Sequence, residues 1–128
     1  MEECAAVKME VKKSRFYAHL YHIESPSEVK EISARHHRIY RKAAHHCYAS
    51  LCTGITPSEI TKNDGEVGHP GRALLEVLRK HGLDSHLLIV SRIFGGIKLG
   101  PGGVTRAFRD AGEGAALRHQ EKIRKGNL

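Results

Sequence analysis

Arg92-Ile93-Phe94-Gly95-Gly96-Ile97-Lys98-Leu99-Gly100-Pro101-Gly102-Gly103-Val104-Thr105-Arg106 is the stretch on which the reading of this chain turns. Its glycines, crowded between positions 95 and 103 with Lys98 among them, join an apolar run to an amphipathic segment. Such a stretch is a tight passage from a strand into a helix. Glycine admits positive φ and close backbone approach. A helix opened in this way also leaves N–H groups that suit an anion. The loop is expected to be strict, with valine at Gly96 or Gly102 destabilising the domain if those residues take positive φ. Neither G-x-x-x-x-G-K-[ST] nor G-x-G-x-x-G occurs, so the two nucleotide fingerprints are absent.

Immediately upstream, Leu87 to Phe94 is nearly continuous apolar sequence, the pattern of a central strand. Downstream, a helix over residues 103–119 places Val104, Ala107, Phe108, Ala111 and Ala115 on one stripe, with Gly112 and Ala116 widening it. Further out, residues 5–12 alternate as a half-buried strand, and residues 15–23 form a second, joined by a connection short enough for a hairpin. Ser25-Pro26-Ser27-Glu28 starts a helix whose stripe is Val29, Ile32, His36, Ile39 and Ala43. Its opposite side carries Lys30, Arg35, Arg38, Arg41 and Lys42. Residues 45–53 return to alternation, a polar loop runs to about residue 68, and His69 to His81 reads as a second helix stopped by Gly82. The order β-β-α-β-α-β-α describes an α+β domain, a four-stranded sheet with its helices on one face.

At 128 residues the chain holds one core, assigned to residues 1–117, followed by a basic tail over residues 118–128. No apolar run reaches the roughly 18 residues of a membrane span, and no secretion signal is recognised, so no membrane partner is expected. Three cysteines, Cys4, Cys47 and Cys52, suit a reducing cytoplasm better than a disulfide scaffold. The formal charge of +7 favours polyanionic partners.

Lys13-Ser14-Arg15-Phe16, His45-His46-Cys47-Tyr48-Ala49, Asn63-Asp64-Gly65-Glu66, Gly71-Arg72, Gly82-Leu83 and Phe94-Gly95-Gly96-Ile97-Lys98-Leu99-Gly100 occur in that order. The series resembles the IMPACT/YigZ family from about residue 12 to about residue 117, with this chain read as a single-domain member. Val67-Gly68-His69-Pro70 replaces a longer Pro/Ser/Gly/Thr loop usual in that family, and Pro101 stands where a small residue is usual. The resemblance implies a fold like the second domain of a small-subunit ribosomal protein and domain IV of elongation factor G, with a left-handed βαβ unit. It also implies a role near translation, since eukaryotic members influence the amino-acid-starvation pathway that controls initiation. By the same resemblance, His46, Cys47, Asp64, Glu66, Gly71, Arg72, Arg92, Gly95, Gly96, Lys98, Gly100, Gly102, Gly103 and Arg106 share a site.

Three chemistries compete for these residues. No structural metal is expected anywhere in the chain; His45, His46, Cys47 and Cys52 are the set weighed for one. On a regular strand the two cysteines, and likewise the two histidines, point to opposite faces. No C-x-x-C or H-x-x-x-H spacing completes a tetrahedral site, and no cofactor is called for. A small hydrolase or transferase would use His46, Asp64, Glu66 and Lys98, with Cys47 as a possible nucleophile beside a base. The reading taken is a non-enzymatic binding protein. Alternation puts Lys8, Lys12, Tyr17, His19, Tyr21, His46 and Tyr48 on the face left open by the helices, with Arg92 able to join them. Aromatic rings interleaved with cations there suit RNA or a ribosome-associated partner. A pure protein–protein adaptor is the remaining alternative.

Overall fold

The computed structural model describes residues 1–54 and 56–126. The element order is β1 (Glu2–Val11), β2 (Ser14–His22), α1 (Glu28–Ile39), β3 (His45–Cys52), β4 (Ser58–Lys62), α2 (Pro70–Lys80), β5 (His86–Ile93) and α3 (Gly100–Arg124). One antiparallel sheet runs β1-β2-β5-β3-β4. It has five strands where the sequence suggested four. The additional strand, β4, lay hidden in the polar loop. Ser58-Glu59-Ile60-Thr61-Lys62 pairs only with β3 at the sheet's edge, and an edge strand of mostly polar residues carries little hydrophobic signal.

β1 and β2 form the expected hairpin. Val11 pairs with Ser14, and Lys12 and Lys13 both take positive φ, 45° and 70°. A two-residue turn of that type matches the right-handed twist of the flanking strands.

The main core lies on one face. Phe16, Ala18, Leu20, Cys47, Ala49, Leu88 and Val90 pack there against Leu74, Val77 and Leu78 of α2 and Val104, Phe108 and Ala111 of α3. Phe16 and Phe108 meet edge to face at 5.2 Å. The other face is not bare. Tyr21, Ile23, Leu87 and Ile89 form a second cluster with Val29 and Ile32 of α1. The helices therefore occupy both faces, α1 opposite α2 and α3. The apolar run of β5 is the cause, because Leu87 and Ile89 point one way while Leu88 and Val90 point the other, and each set needs cover. α1 ends at Ile39, which stays exposed, so its buried stripe stops at His36.

β2–α1–β3 and β4–α2–β5 each join parallel strands with one strand between them. A half-turn in the plane of the sheet superposes the two strand paths but leaves α1 and α2 on opposite faces. The two crossovers consequently have opposite hands, and one is left-handed against the usual preference.

α3 begins before the expected residue 103 and continues to Arg124. Residues 118–124, expected as part of a basic tail, extend the helix, and Lys122 Nζ donates to the Cys4 carbonyl at 3.0 Å. The tail's residues 127–128 lie outside the described residues. No helix among the described residues is long and apolar enough to cross a membrane.

Candidate functional site

The sequence-predicted site residues divide between the two faces. On the face of α2 and α3, at the end of β5, Arg92 is only 5% exposed. Its guanidinium lies between the rings of Phe16 and Phe94, 5.7 and 5.5 Å from their centroids. Nη1 donates to Glu66 Oε2 at 3.0 Å and Nη2 to Ser14 Oγ at 3.4 Å. The Glu66 side chain is itself 4% exposed. Each of these charges depends on the other, because a buried charge without its partner is strongly unfavourable. His45 Nε2 stands 3.7 Å from the same Glu66 oxygen.

The loop carrying Asp64 and Glu66 is pinned from both sides. Asp64 Oδ2 accepts the His46 N–H at 2.7 Å, and the Asn63 carbonyl accepts the Cys47 thiol at 3.1 Å. Asn63 Oδ1 accepts the Gly71 N–H at 2.9 Å, at the start of α2. Burial, and then the Glu66 and Asp64 carboxylates, push the Cys47 thiol well above its ordinary range. Such a thiol is inert.

The glycine stretch is strict at Gly95, Gly96 and Gly100, the last with φ +73°. Gly95 donates its N–H to Ser14 Oγ at 3.2 Å, and a Cβ there would overlap the Lys13 carbonyl and the Ser14 nitrogen. The Lys13-Ser14 and Phe94-Gly95 motifs thus form one contact. Gly96 takes φ +90°. Gly102, by contrast, lies within α3, and a Cβ on it would meet nothing within 4 Å. The expected strictness therefore does not extend to Gly102.

These segments enclose a cleft of about 340 Å³ lined by Glu66, Val67, Arg92, Phe94, Lys98, Leu99, Gly100, Pro101 and Val104. Its rim is apolar and exposed: Phe94 is 49% exposed and Val67 51%, and Ile97, next to Lys98 in the chain, is also exposed. Lys98 is exposed and makes no ion pair among the described residues. An adjoining hollow beyond Leu99 holds Lys12, Gly103 and Arg106, and Arg72 is exposed on the first turn of α2. Val67, Phe94 and Ile97 were not singled out by sequence reasoning. The available signal was three large apolar residues in loops rich in glycine.

The other face differs from the expected open platform because α1 lies on it. Tyr17 stacks on Tyr40 at 4.6 Å, the Tyr40 hydroxyl and His19 Nε2 are 2.6 Å apart, and Tyr21 OH and His36 Nε2 are 2.7 Å apart. His46 packs on His37 with ring centroids at 4.0 Å and bonds Ser91 Oγ through Nδ1 at 2.7 Å. Tyr48 is half-buried at the margin of the second cluster. Burial, then the neighbouring histidines, lowers His36 to about 3. Burial, then His37, lowers His46 to about 4. Arg92 faces the opposite way, so it does not join Tyr17 and Tyr48.

The hydrolase constellation is not assembled by this geometry. His46 lies on the α1 face while Glu66 and Lys98 belong to the cleft, and the Asp64 carboxylate is engaged by the His46 backbone. Cys47 and Cys52 point to opposite faces, as strand parity requires.

The family model described as the Impact N-terminal domain matches residues 12–116. The chain is similar to the IMPACT family member YvyE of Bacillus subtilis, 34% identical over 109 residues, covering 84% of this chain and 50% of that protein. It is similar to the IMPACT family member YigZ of Escherichia coli, 33% identical over 122 residues, covering 93% of this chain and 59% of the relative. The chain thus spans little more than half the length of these curated relatives. Among solved structures, a hypothetical protein is 31% identical with a TM-score of 0.82, covering 89% of this chain and 56% of that one. The two-domain translational regulator Yih1 shares the fold at 19% identity and a TM-score of 0.54, covering 91% of this chain and 46% of its own.

Proposed function

This chain belongs to the Impact N-terminal domain family, and on that premise we propose that it is a non-enzymatic binding module of translation or its regulation, holding RNA in the cleft between Glu66-Val67 and the glycine stretch. The observation that carries this reading is the cleft's makeup. Phe94 is the one exposed Phe or Tyr among the described residues. It stands beside the unpaired Lys98, with Lys12 and Arg106 across the adjoining hollow. A ring for base stacking next to cations for phosphate is the minimal equipment of a single-strand RNA site. The start of α3, which has no side-chain cap, adds free N–H groups suited to an anion. Translation enters the reading through Yih1, described as a translational regulator, which has this fold. A cytoplasmic location goes with that role.

The test is a fluorescence anisotropy titration of a labelled single-stranded RNA at two salt concentrations. Affinity should fall steeply with salt. Phe94→Ala should cost about 1–3 kcal/mol of binding. Lys98→Ala should weaken every sequence alike and lower the salt slope by about one. Tyr17→Ala should bind like wild type, because its half-buried ring is stacked on Tyr40, away from the cleft. Equal damage from Tyr17→Ala and Phe94→Ala would move the site to the α1 face. Absence of binding at low salt would make a protein partner the better reading.

A further inference from the structure

A second constellation lies at the far end of the sheet from the cleft. β1 carries a bulge there: Glu3 pairs with Tyr21 and Ala5 with Leu20, which leaves Cys4 without a partner. A bulge re-aims one side chain. Cys4 and Ala5 consequently both pack against the main core beneath α3 instead of alternating. On the same side, His22 of β2 pairs with His86 of β5, and their rings lie 5.3 Å apart. α3 brings His119 over them, 5.7 Å from the His86 ring. The candidate ligand atoms of Cys4, His86 and His119 all lie within 4.8 Å of one another.

We propose that Cys4, His86 and His119 bind a zinc-class divalent cation, with His22, whose ring lies 5.3 Å from that of His86, a further imidazole beside them. One cysteinate with two or three imidazoles is a donor set for zinc or cobalt, not for magnesium or calcium. The orientation of His86 supports this role. Its Nδ1 is 2.7 Å from the Asp84 carbonyl, which makes Nδ1 the donor and leaves the Nε2 lone pair for the cluster, the arrangement typical of ligating histidines. Asp84 is fixed in turn, accepting the Thr53 N–H at 2.7 Å and the Thr53 hydroxyl at 2.6 Å. The Cys4 thiol exchanges its S–H bond for a sulfur–metal bond on binding and releases the proton to water. This departs from the sequence expectation of no structural metal, whose spacing argument concerned residues 45–52 alone. Cys4, His86 and His119 come from β1, β5 and α3, so no local motif announces them.

Cobalt(II) titration of the untagged, metal-free full chain tests the proposal. The expected result is a stoichiometric end point with the visible bands of tetrahedral cobalt and a thiolate-to-cobalt charge-transfer band, both abolished by added zinc. Cys4→Ser should remove the charge-transfer band, and His119→Ala should weaken cobalt binding about tenfold or more. Cys52→Ser, on the opposite face, should change neither. His119→Ala keeps the test decisive if circular dichroism shows that Cys4→Ser is unfolded. The proposal is overturned by the absence of a tetrahedral spectrum, by bands lacking the thiolate contribution, or by wild-type affinity in His119→Ala.

Discussion

The two faces of the sheet are closed by different chemistry. Under α2 and α3, Phe16, Leu20, Leu74, Leu78, Leu88, Val90 and Phe108 meet in a continuous apolar core. Under α1, beyond Val29 and Ile32, the contact passes to His19, Tyr21, His36, His37, Tyr40 and His46, joined by hydrogen bonds and ring stacking. Apolar contact is non-directional and indifferent to protonation, whereas the α1 contact holds while its buried histidines stay neutral. The α2/α3 face also ends in the Arg92–Glu66 pair and an exposed apolar rim. The proposed recognition accordingly uses that end, while the aromatic residues of the other face pack against α1.

Acidification should produce the largest contrast, because it acts on two buried histidines at once. His36 and His46 have folded-state values of about 3 and about 4, below the ordinary 6.5. The unfolded chain therefore binds protons first as pH falls. Their contribution is fully present above pH 6.5 and is lost progressively as the pH drops toward 4 and then 3. Amide hydrogen exchange should show α1 losing protection before the buried turns of α3. Parallel loss in both helices would erase the distinction.

Glu66→Ala should follow, at about 3–5 kcal/mol by urea unfolding, because Arg92 is left buried and unpaired. Its counterpart on the α1 face, Tyr21→Phe, should cost about 1–3 kcal/mol by leaving His36 Nε2 without its partner. Equal losses would mean that the two faces are held alike. Gly95→Ala should cost about 1–3 kcal/mol, the usual range for overpacking, because the Lys13 backbone must move. Gly102→Ala, at an open helical position, should stabilise by about 0.5–1 kcal/mol. Destabilisation by Gly102→Ala in a thermal melt would show that the whole glycine stretch is strict.

The sequence made the parts of the fold with strong periodicity legible. β1, β2, β3, α2 and β5 lie where alternation or helical spacing placed them, and the α+β class follows from their order. β4 was not legible, since this short polar edge strand has one half-buried side and few apolar residues. The placement of α1 was legible only in hindsight. The unbroken apolar run of β5 implied cover on both faces, but the basic exterior of α1 was read as part of a single layer. The site was partly legible. The motifs named Glu66, Arg92 and Lys98, which line the cleft, but they also drew in His46, and alternation drew in Tyr17, both on the face that α1 covers. Phe94 and Val67 were passed over because an apolar residue in a loop gives no sign of its exposure.

Amide chemical-shift mapping by NMR, with single-stranded RNA added at low salt, tests most directly whether recognition belongs to the cleft. Shifts should concentrate at Val67, at residues 94–103 and at the Lys12–Lys13 turn, leaving α1 and the strands beneath it unmoved. Shifts concentrated on α1, Tyr17 and Tyr48, with the cleft silent, would contradict that assignment.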